Sequence, residues 1–365
     1  MKTKRNISLK IAKVIGIIIA VLIFLCLLAT VGFRGLNYIH HKILYKNGVN
    51  ETTYIDINGQ EQYVMMMGQD ATNPVIIYLH GGPAGPDTFM TYCFSDYLTD
   101  EYTFIGWDQR GCGRTYYKNI KEDPNNETVS FDQALDDLDE LVNYACDRFG
   151  QDKVIIMGHS YGTTLGSTYV KQHPEKVQAY IGIGQLVSLE DADIYSYHDA
   201  VAKAQLAGDD TTDMDNAFQN FCDNPGIPTL ITLRGYTSKY HPVENESGQV
   251  GLAWFSPYTN IDDLKWFSKQ LGDVDRFVEL NKPLYDTLMT FSVYDDSLDY
   301  EVPVCFVSGA DDWVCPTDKT AEYYEAITAP QKKMYVIDKC GHDVHFANPE
   351  EFDEDVKAFL DSIEE

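Results

Sequence analysis

The stretch VIIMGHSYGTTLG, residues 154–166, constrains the fold of this chain more than any other. A run of β-branched and apolar residues stops at Gly158-His159-Ser160-Tyr161-Gly162, and small residues follow. A chain that leaves a buried strand and enters a helix so abruptly has to bend sharply, and glycines on both flanks allow it. In that context G-x-S-x-G lifts the Ser160 hydroxyl above the edge of a sheet, which makes Ser160 the candidate nucleophile. A structural serine in a glycine turn is the blander alternative.

The surroundings repeat the strand-then-helix rhythm. VIIYLH (75–80), TFIGWD (103–108), YIGIG (180–184), VPVCFVSG (302–309) and KMYVID (333–338) read as short apolar strands. Ser130 reads as the N-cap of FDQALDDLDELVNYACDRF, whose apolar residues recur at helical spacing until Gly150. Another helix is expected from about Thr163 to Gln172, and a last one from Pro349 to Ile363. TTYIDINGQEQYVMMMG predicts a hairpin about Asn58-Gly59, since both turn positions need positive φ. This pattern predicts an α/β fold, a mostly parallel sheet with helices on both faces. Residues 188–300 break the rhythm and read as an inserted helical cap over the carboxyl ends of the strands, where open α/β sheets bind ligands. The core is then 50–187 with 301–365.

A serine hydroxyl needs a base, and the base needs an orienting carboxylate, in the chain order Ser, Asp/Glu, His for this architecture. FVSGADDWVCP supplies Asp312, with Asp311 as fallback; DKCGHDVHF supplies His342, with His345 as competitor. Neighbouring loops here would bring Cys315 and Cys340 within reach of a disulfide, although the cysteine spacing gives no regular disulfide or zinc framework. Backbone N–H groups of Tyr161 and of Gly81 or Gly82 in HGGPAGPD are candidates for an oxyanion pocket. In WDQRGCGRTYY, Asp108 and Arg110 are expected to hold neighbouring loops through charge-assisted contacts.

Together HGGPAGPD, WDQRGCGRT, GHSYGTTLG and the Asp312/His342 pair resemble the α/β-hydrolase fold, and within it the prolyl aminopeptidase (proline iminopeptidase) family, over about residues 50–187 and 300–362. Two departures stand out. The family usually continues HGGPG where this chain has Ala84, and its cap carries glutamates near a W-E dipeptide that this chain lacks. Glu190, Glu244, Glu246 and Glu279 are the glutamates of the 188–300 segment, hence the candidates for holding a substrate's free amino group. The resemblance implies two-step hydrolysis through an acyl-enzyme on Ser160. His342 acts as base and then acid, Asp312 orients it, and Tyr161 and Gly82 N–H groups stabilise the oxyanion, with no metal or organic cofactor. The expected substrate is a small peptide, amide or ester. An esterase or lipase is the rival enzyme, and an inactive membrane-anchored binding protein the rival of another class.

The chain begins differently. VIGIIIAVLIFLCLLATVGF, Val14–Phe33, has no charge and spans about 30 Å as a helix, the thickness of a bilayer core. Lys2, Lys4, Arg5, Lys10 and Lys13 lie before it, and the first acid is Glu51. A cleaved signal peptide has a shorter apolar core and small residues at its end, so an uncleaved anchor (14–33) is expected. The basic segment 1–13 then stays cytoplasmic, while the connector 34–49 and the folded part lie outside the cell membrane. A formal net charge of −28 argues against nucleic acid as a partner.

Overall fold

A computed structural model describes residues 2–241 and 249–364. Among these, eight strands form one sheet: β1 (Val49–Ile57), β2 (Gln60–Gly68), β3 (Val75–Leu79), β4 (Thr103–Trp107), β5 (Val154–His159), β6 (Val177–Ile183), β7 (Val304–Gly309) and β8 (Lys332–Ile337). Their spatial order is β1-β2-β4-β3-β5-β6-β7-β8. β1 and β2 form an antiparallel hairpin, β2 runs antiparallel to β4, and the remaining neighbours are parallel. The hairpin turns at Asn58 (φ 47°) and Gly59 (φ 78°), with Ile57 opposite Gln60, as the Asn-Gly pair predicts.

The α-helices are α1 (Lys2–Leu44), α2 (Tyr92–Leu98), α3 (Gly113–Asn119), α4 (Phe131–Phe149) and α5 (Tyr161–Gln172), followed among the described residues by seven between β6 and β7. Those are α6 (Leu189–Ala207), α7 (Thr212–Asp223), α8 (Ile227–Thr237), α9 (Gln249–Phe255), α10 (Ile261–Gly272), α11 (Val274–Leu280) and α12 (Lys282–Thr290). After β7 come α13 (Thr317–Ala326), α14 (Val344–Ala347) and α15 (Pro349–Glu364).

Alternation along the strands produces two cores. Ile77, Leu79 and Ile156 face one side, where Leu138, Leu141 and Val142 of α4 and Leu165 and Tyr169 of α5 pack. Ile76, Tyr78, Ile155 and Met157 face the other, against Phe94 and against Phe352, Val356 and Phe359 of α15. Both faces are covered, which is why the central strands are apolar without interruption. Ser130 caps α4 by accepting the Gln133 N–H at 3.1 Å, and Gly150 ends it at φ 65°. α5 begins at Tyr161, two residues before the expected start, because the serine itself occupies the helix-initiating position.

α1 is long and apolar enough to cross a membrane, with mean hydropathy 3.2 in its most apolar window. Its last turns reach the folded body. His41 is buried, its Nε2 lies 2.7 Å from Asp96 Oδ2 and its Nδ1 accepts the Tyr258 hydroxyl at 2.9 Å.

Candidate active site

β5 carries the peptide chain up the middle of the sheet and releases it at Ser160, whose φ of 52° and ψ of −120° are rarely adopted by a residue with a side chain. The flanking glycines are required by contact as well as by bending. A Cβ at Gly158 would lie 2.5 Å from the Gly162 carbonyl oxygen, and one at Gly162 only 2.1 Å from that of Leu79. The Ser160 N–H donates to the Ile183 carbonyl at 3.0 Å, which ties the turn to the end of β6.

Asp312 leaves β7 in a loop that wraps its carboxylate in donors. Oδ1 accepts the N–H groups of Val314 (2.9 Å) and Cys315 (2.8 Å), and Oδ2 lies 2.9 Å from His342 Nδ1. Both side chains are buried. Such a carboxylate accepts the Nδ1 proton and leaves Nε2 of His342 as the basic nitrogen. Gly184, at φ 51°, packs flat against the pair: a Cβ there would lie 3.1 Å from His342 Nδ1 and 3.2 Å from Asp312 Oδ2. Ser160 and the His–Asp pair therefore share one support, residues 183–184 at the end of β6.

Asp311 and His345 are placed differently. Asp311 is exposed, and its N–H donates to the Cys340 carbonyl at 2.9 Å, so it stitches the two loops together without meeting His342. His345 is fully buried on α14, with Nε2 3.2 Å from the Tyr78 hydroxyl, and burial holds its pKa well below 6.5. Cys315 and Cys340 are not joined by a disulfide in the structure; Cys315 instead lines the cavity beside Ser160.

Two functional candidates escaped the sequence reading. His159, between the glycine and the serine, donates from Nε2 to the His342 carbonyl at 3.2 Å, with the rings 4.9 Å apart. Burial lowers its pKa to about 4, so it stays neutral beside His342. His80 opens the HGGP loop, donating from Nδ1 to the Gly81 carbonyl at 2.8 Å, while Nε2 accepts the Gln109 N–H at 3.4 Å. Its pKa also falls to about 4 through burial. Their signal lay in the motifs themselves, as the histidines of GHSYG and HGGP.

The HGGP loop lies against the serine. A Cβ at Gly81 would be 3.1 Å from Ser160 Cβ, and Gly82, at φ 122°, lines the cavity with Ser160 and Tyr161. Ala84 adopts φ 59° despite its methyl group, and its carbonyl accepts the indole N–H of buried Trp266 on α10 at 2.9 Å. Asp108 and Arg110 do hold loops, but through different partners. Arg110 grips Asp137 through Nε–Oδ2 (2.6 Å) and Nη2–Oδ1 (2.9 Å), whereas Asp108 accepts the Arg114 N–H at 2.9 Å and the Thr88 hydroxyl. Arg114 in turn pairs with Asp263 of α10 at 2.8 and 2.6 Å.

The cavity above Ser160 holds about 240 Å³. Its walls include Leu186, Leu189, Leu230, Phe277 and Leu288, with Gln270 and Arg234 as polar members. Arg234 is bidentate to Asp193, at 2.7 and 2.8 Å. Neither Glu190 nor Glu279 lines this space: both are exposed, and Glu279 pairs with Arg276 at 2.8 Å. Glu190 follows buried Leu189 in the first turn of α6, and Glu279 lies between buried Phe277 and Leu280 on α11. Glu244 and Glu246 lie outside the described residues. Among the described residues, no carboxylate lines the cavity.

The model of the alpha/beta hydrolase fold family matches residues 74–349. A probable aminopeptidase, YbaC, of Bacillus subtilis is 25% identical over 321 residues, 82% of this chain and 92% of that protein. A proline iminopeptidase of Heyndrickxia coagulans is 24% identical over 326 residues, 85% of this chain and 98% of that protein. Among solved structures, the proline iminopeptidase of Mycobacterium smegmatis is similar with a TM-score of 0.59 and 18% identity, covering 86% of this chain and 98% of that one. A bacterial membrane phospholipase A is similar with a TM-score of 0.56 and 16% identity, covering 99% of each chain. With the strand order, the serine turn and a family match over most of its length, this chain belongs to the α/β-hydrolase fold family.

Proposed function

We propose that the chain is a membrane-anchored serine hydrolase that releases the N-terminal residue of short peptides or amides through an acyl-enzyme on Ser160. The observation that carries the chemistry is the Asp312–His342 contact of 2.9 Å, supported on the same residues of β6 as the strained serine turn. In this reading His342 Nε2 removes the Ser160 Oγ proton as the hydroxyl attacks the carbonyl. The N–H groups of Tyr161, at the first turn of α5, and of Gly82 receive the oxyanion, where backbone donors and the helix N-terminus favour negative charge. His342 then passes its proton to the leaving amine, and water completes the cycle in the reverse order. Residues 188–300 form the cap over this site, α1 is the uncleaved anchor, and the catalytic part lies outside the cell membrane.

The peptidase assignment is supported by the relatives, which are named aminopeptidase and proline iminopeptidase. A second reading, carboxylic ester hydrolysis, is favoured by the apolar cavity walls. Charge discriminates them. A free N-terminal ammonium is costly to desolvate and needs a carboxylate nearby, whereas an acyl chain needs only apolar contact. Comparing a prolyl arylamide with its N-acetylated twin tests this directly. Preference for the free amine by a factor of about thirty or more, worth about 2 kcal/mol or more, is expected of an aminopeptidase. Equal cleavage of both removes the aminopeptidase assignment, and cleavage of esters alone establishes the ester reading instead.

A further inference from the structure

The helices between β6 and β7 expose an apolar stripe that soluble surfaces seldom carry. On α10, Ile261 (62% exposed), Leu264, Phe267 and Leu271 (67%) point outward at helical spacing, while Asp263 and Trp266 face in. Trp254 and Phe255 of α9, also exposed, precede them. This stripe is continuous with α1. The Trp254 indole donates to Thr30 Oγ1 at 2.8 Å, Arg34 Nε donates to the Trp254 carbonyl at 2.9 Å, and the Phe33 and Phe255 rings meet edge-on at 5.4 Å.

These contacts set a depth. Thr30 lies three residues before the end of the charge-free run, about 4.5 Å along the helix axis inside it. Trp254 therefore sits at the level where amphipathic rings occupy a membrane–water boundary. The charges along the stripe do not oppose contact with lipid. Asp262 is paired with Lys265 at 2.8 Å and Asp263 with Arg114, although Asp273 and Asp275 border the far end. That far end is the mouth of the Ser160 cavity, where Val274 and Ile231 are both wall residues and exposed.

From this continuity we infer that α9 and α10 seat on the bilayer leaflet next to the end of the charge-free run of α1, so that the cavity takes amphiphilic acyl substrates from that leaflet. The inference rests on α1 as an uncleaved span and on Ser160 as nucleophile, and the experiment separates these. The full chain is placed in phosphatidylcholine nanodiscs, with the accessible thiols Cys26, Cys93, Cys146 and Cys222 changed to serine. Single nitroxides are attached at Leu264→Cys, Phe267→Cys or Leu271→Cys. A label at exposed Leu206→Cys serves as the aqueous control, and one on restored Cys26 as the membrane control. The expected result is greater relaxation by oxygen than by a nickel chelate at 264, 267 and 271, as at Cys26 and opposite to 206. Labels at the three positions that behave like 206 while Cys26 behaves as buried in lipid overturn the docking alone. An aqueous reading at Cys26 overturns the anchor. Shielding from both reagents with coupling between labels assigns the face to a second copy.

The substrate route has its own readout. The double variant Phe267→Asp/Leu271→Asp is expected to lose about tenfold or more of its rate on a long-chain ester dissolved in the nanodisc, with its rate on a water-soluble acetate ester kept within about twofold. Equal change in both rates overturns the route. Absence of ester hydrolysis by a wild type that cleaves a prolyl arylamide overturns the route, and absence of both activities counts against the nucleophile; neither bears on the docking that the nitroxides report.

Discussion

His159 donates its Nε2 proton to the main-chain carbonyl of His342 at 3.2 Å, so the residue before the candidate nucleophile holds the loop of the candidate base. A neutral ring suits this role. Burial keeps the His159 pKa at about 4, and a cation beside His342 would oppose the imidazolium that forms during acyl transfer.

This contact makes a pH prediction. An unfolded histidine takes up a proton near pH 6.5, whereas folded His159 does so only near 4, so its contribution is present above 6.5 and is lost as pH falls toward 4. Between these values one extra proton binds the unfolded state, a slope of about 1.4 kcal/mol per pH unit. His159→Gln should flatten the pH dependence of unfolding by that much in this window. Parallel denaturation curves for variant and wild type at pH 4.5, 5.5 and 6.5 decide it; identical slopes refute the assignment.

Ser160→Ala should remove turnover of an activated ester by a factor of roughly 10⁴–10⁶ while leaving the fold intact. Alanine also relieves none of the backbone strain, because it carries the same Cβ at a φ of 52°. Active-site labelling with a fluorophosphonate should fail in parallel. A variant that keeps most of its activity would rule Ser160 out.

Asp312→Asn should lower kcat by about 10⁴, since an amide nitrogen facing Nδ1 would favour the wrong imidazole tautomer. Asp311→Asn should change kcat by less than about threefold, because its exposed side chain makes no contact with His342 and its backbone bond to Cys340 survives. Reversal of the two effects would move the orienting acid by one residue.

Gly184→Ala probes the support shared by the two halves of the site. The new methyl would come 3.1 Å from His342 Nδ1 in a backbone at φ 51°. We expect a loss of about 1–2 kcal/mol in stability together with a fall in kcat of about tenfold or more, with KM little changed. A purely structural role predicts lowered stability with kcat intact.

Glu190→Gln and Glu279→Gln should each leave KM for a free-amine substrate within about twofold, because both carboxylates are exposed and away from the cavity. A rise of tenfold in either variant would show that the exposed glutamate turns inward when substrate binds.

What could be read from sequence was local. G-x-S-x-G dictated a strand, a strained turn and a helix, Asn58-Gly59 dictated a hairpin, and Ser130 and Gly150 bounded a helix. In each, neighbours along the chain impose the backbone angles. Chain order and strand ends also sufficed to nominate Asp312 and His342. Tertiary structure decided which remote groups meet: Arg110 pairs with Asp137, Arg114 with Asp263, and His159 with the His342 carbonyl. It also turned Glu190 and Glu279 outward and left apolar walls over Ser160. A carboxylate's sequence position carries no record of which helix face will be buried. That depends on how the inserted helices pack on one another and on the sheet. The same holds for the exposed stripe on α10, which is merely amphipathic in sequence and acquires its meaning from following α9, whose Trp254 and Phe255 meet α1 at Thr30 and Phe33.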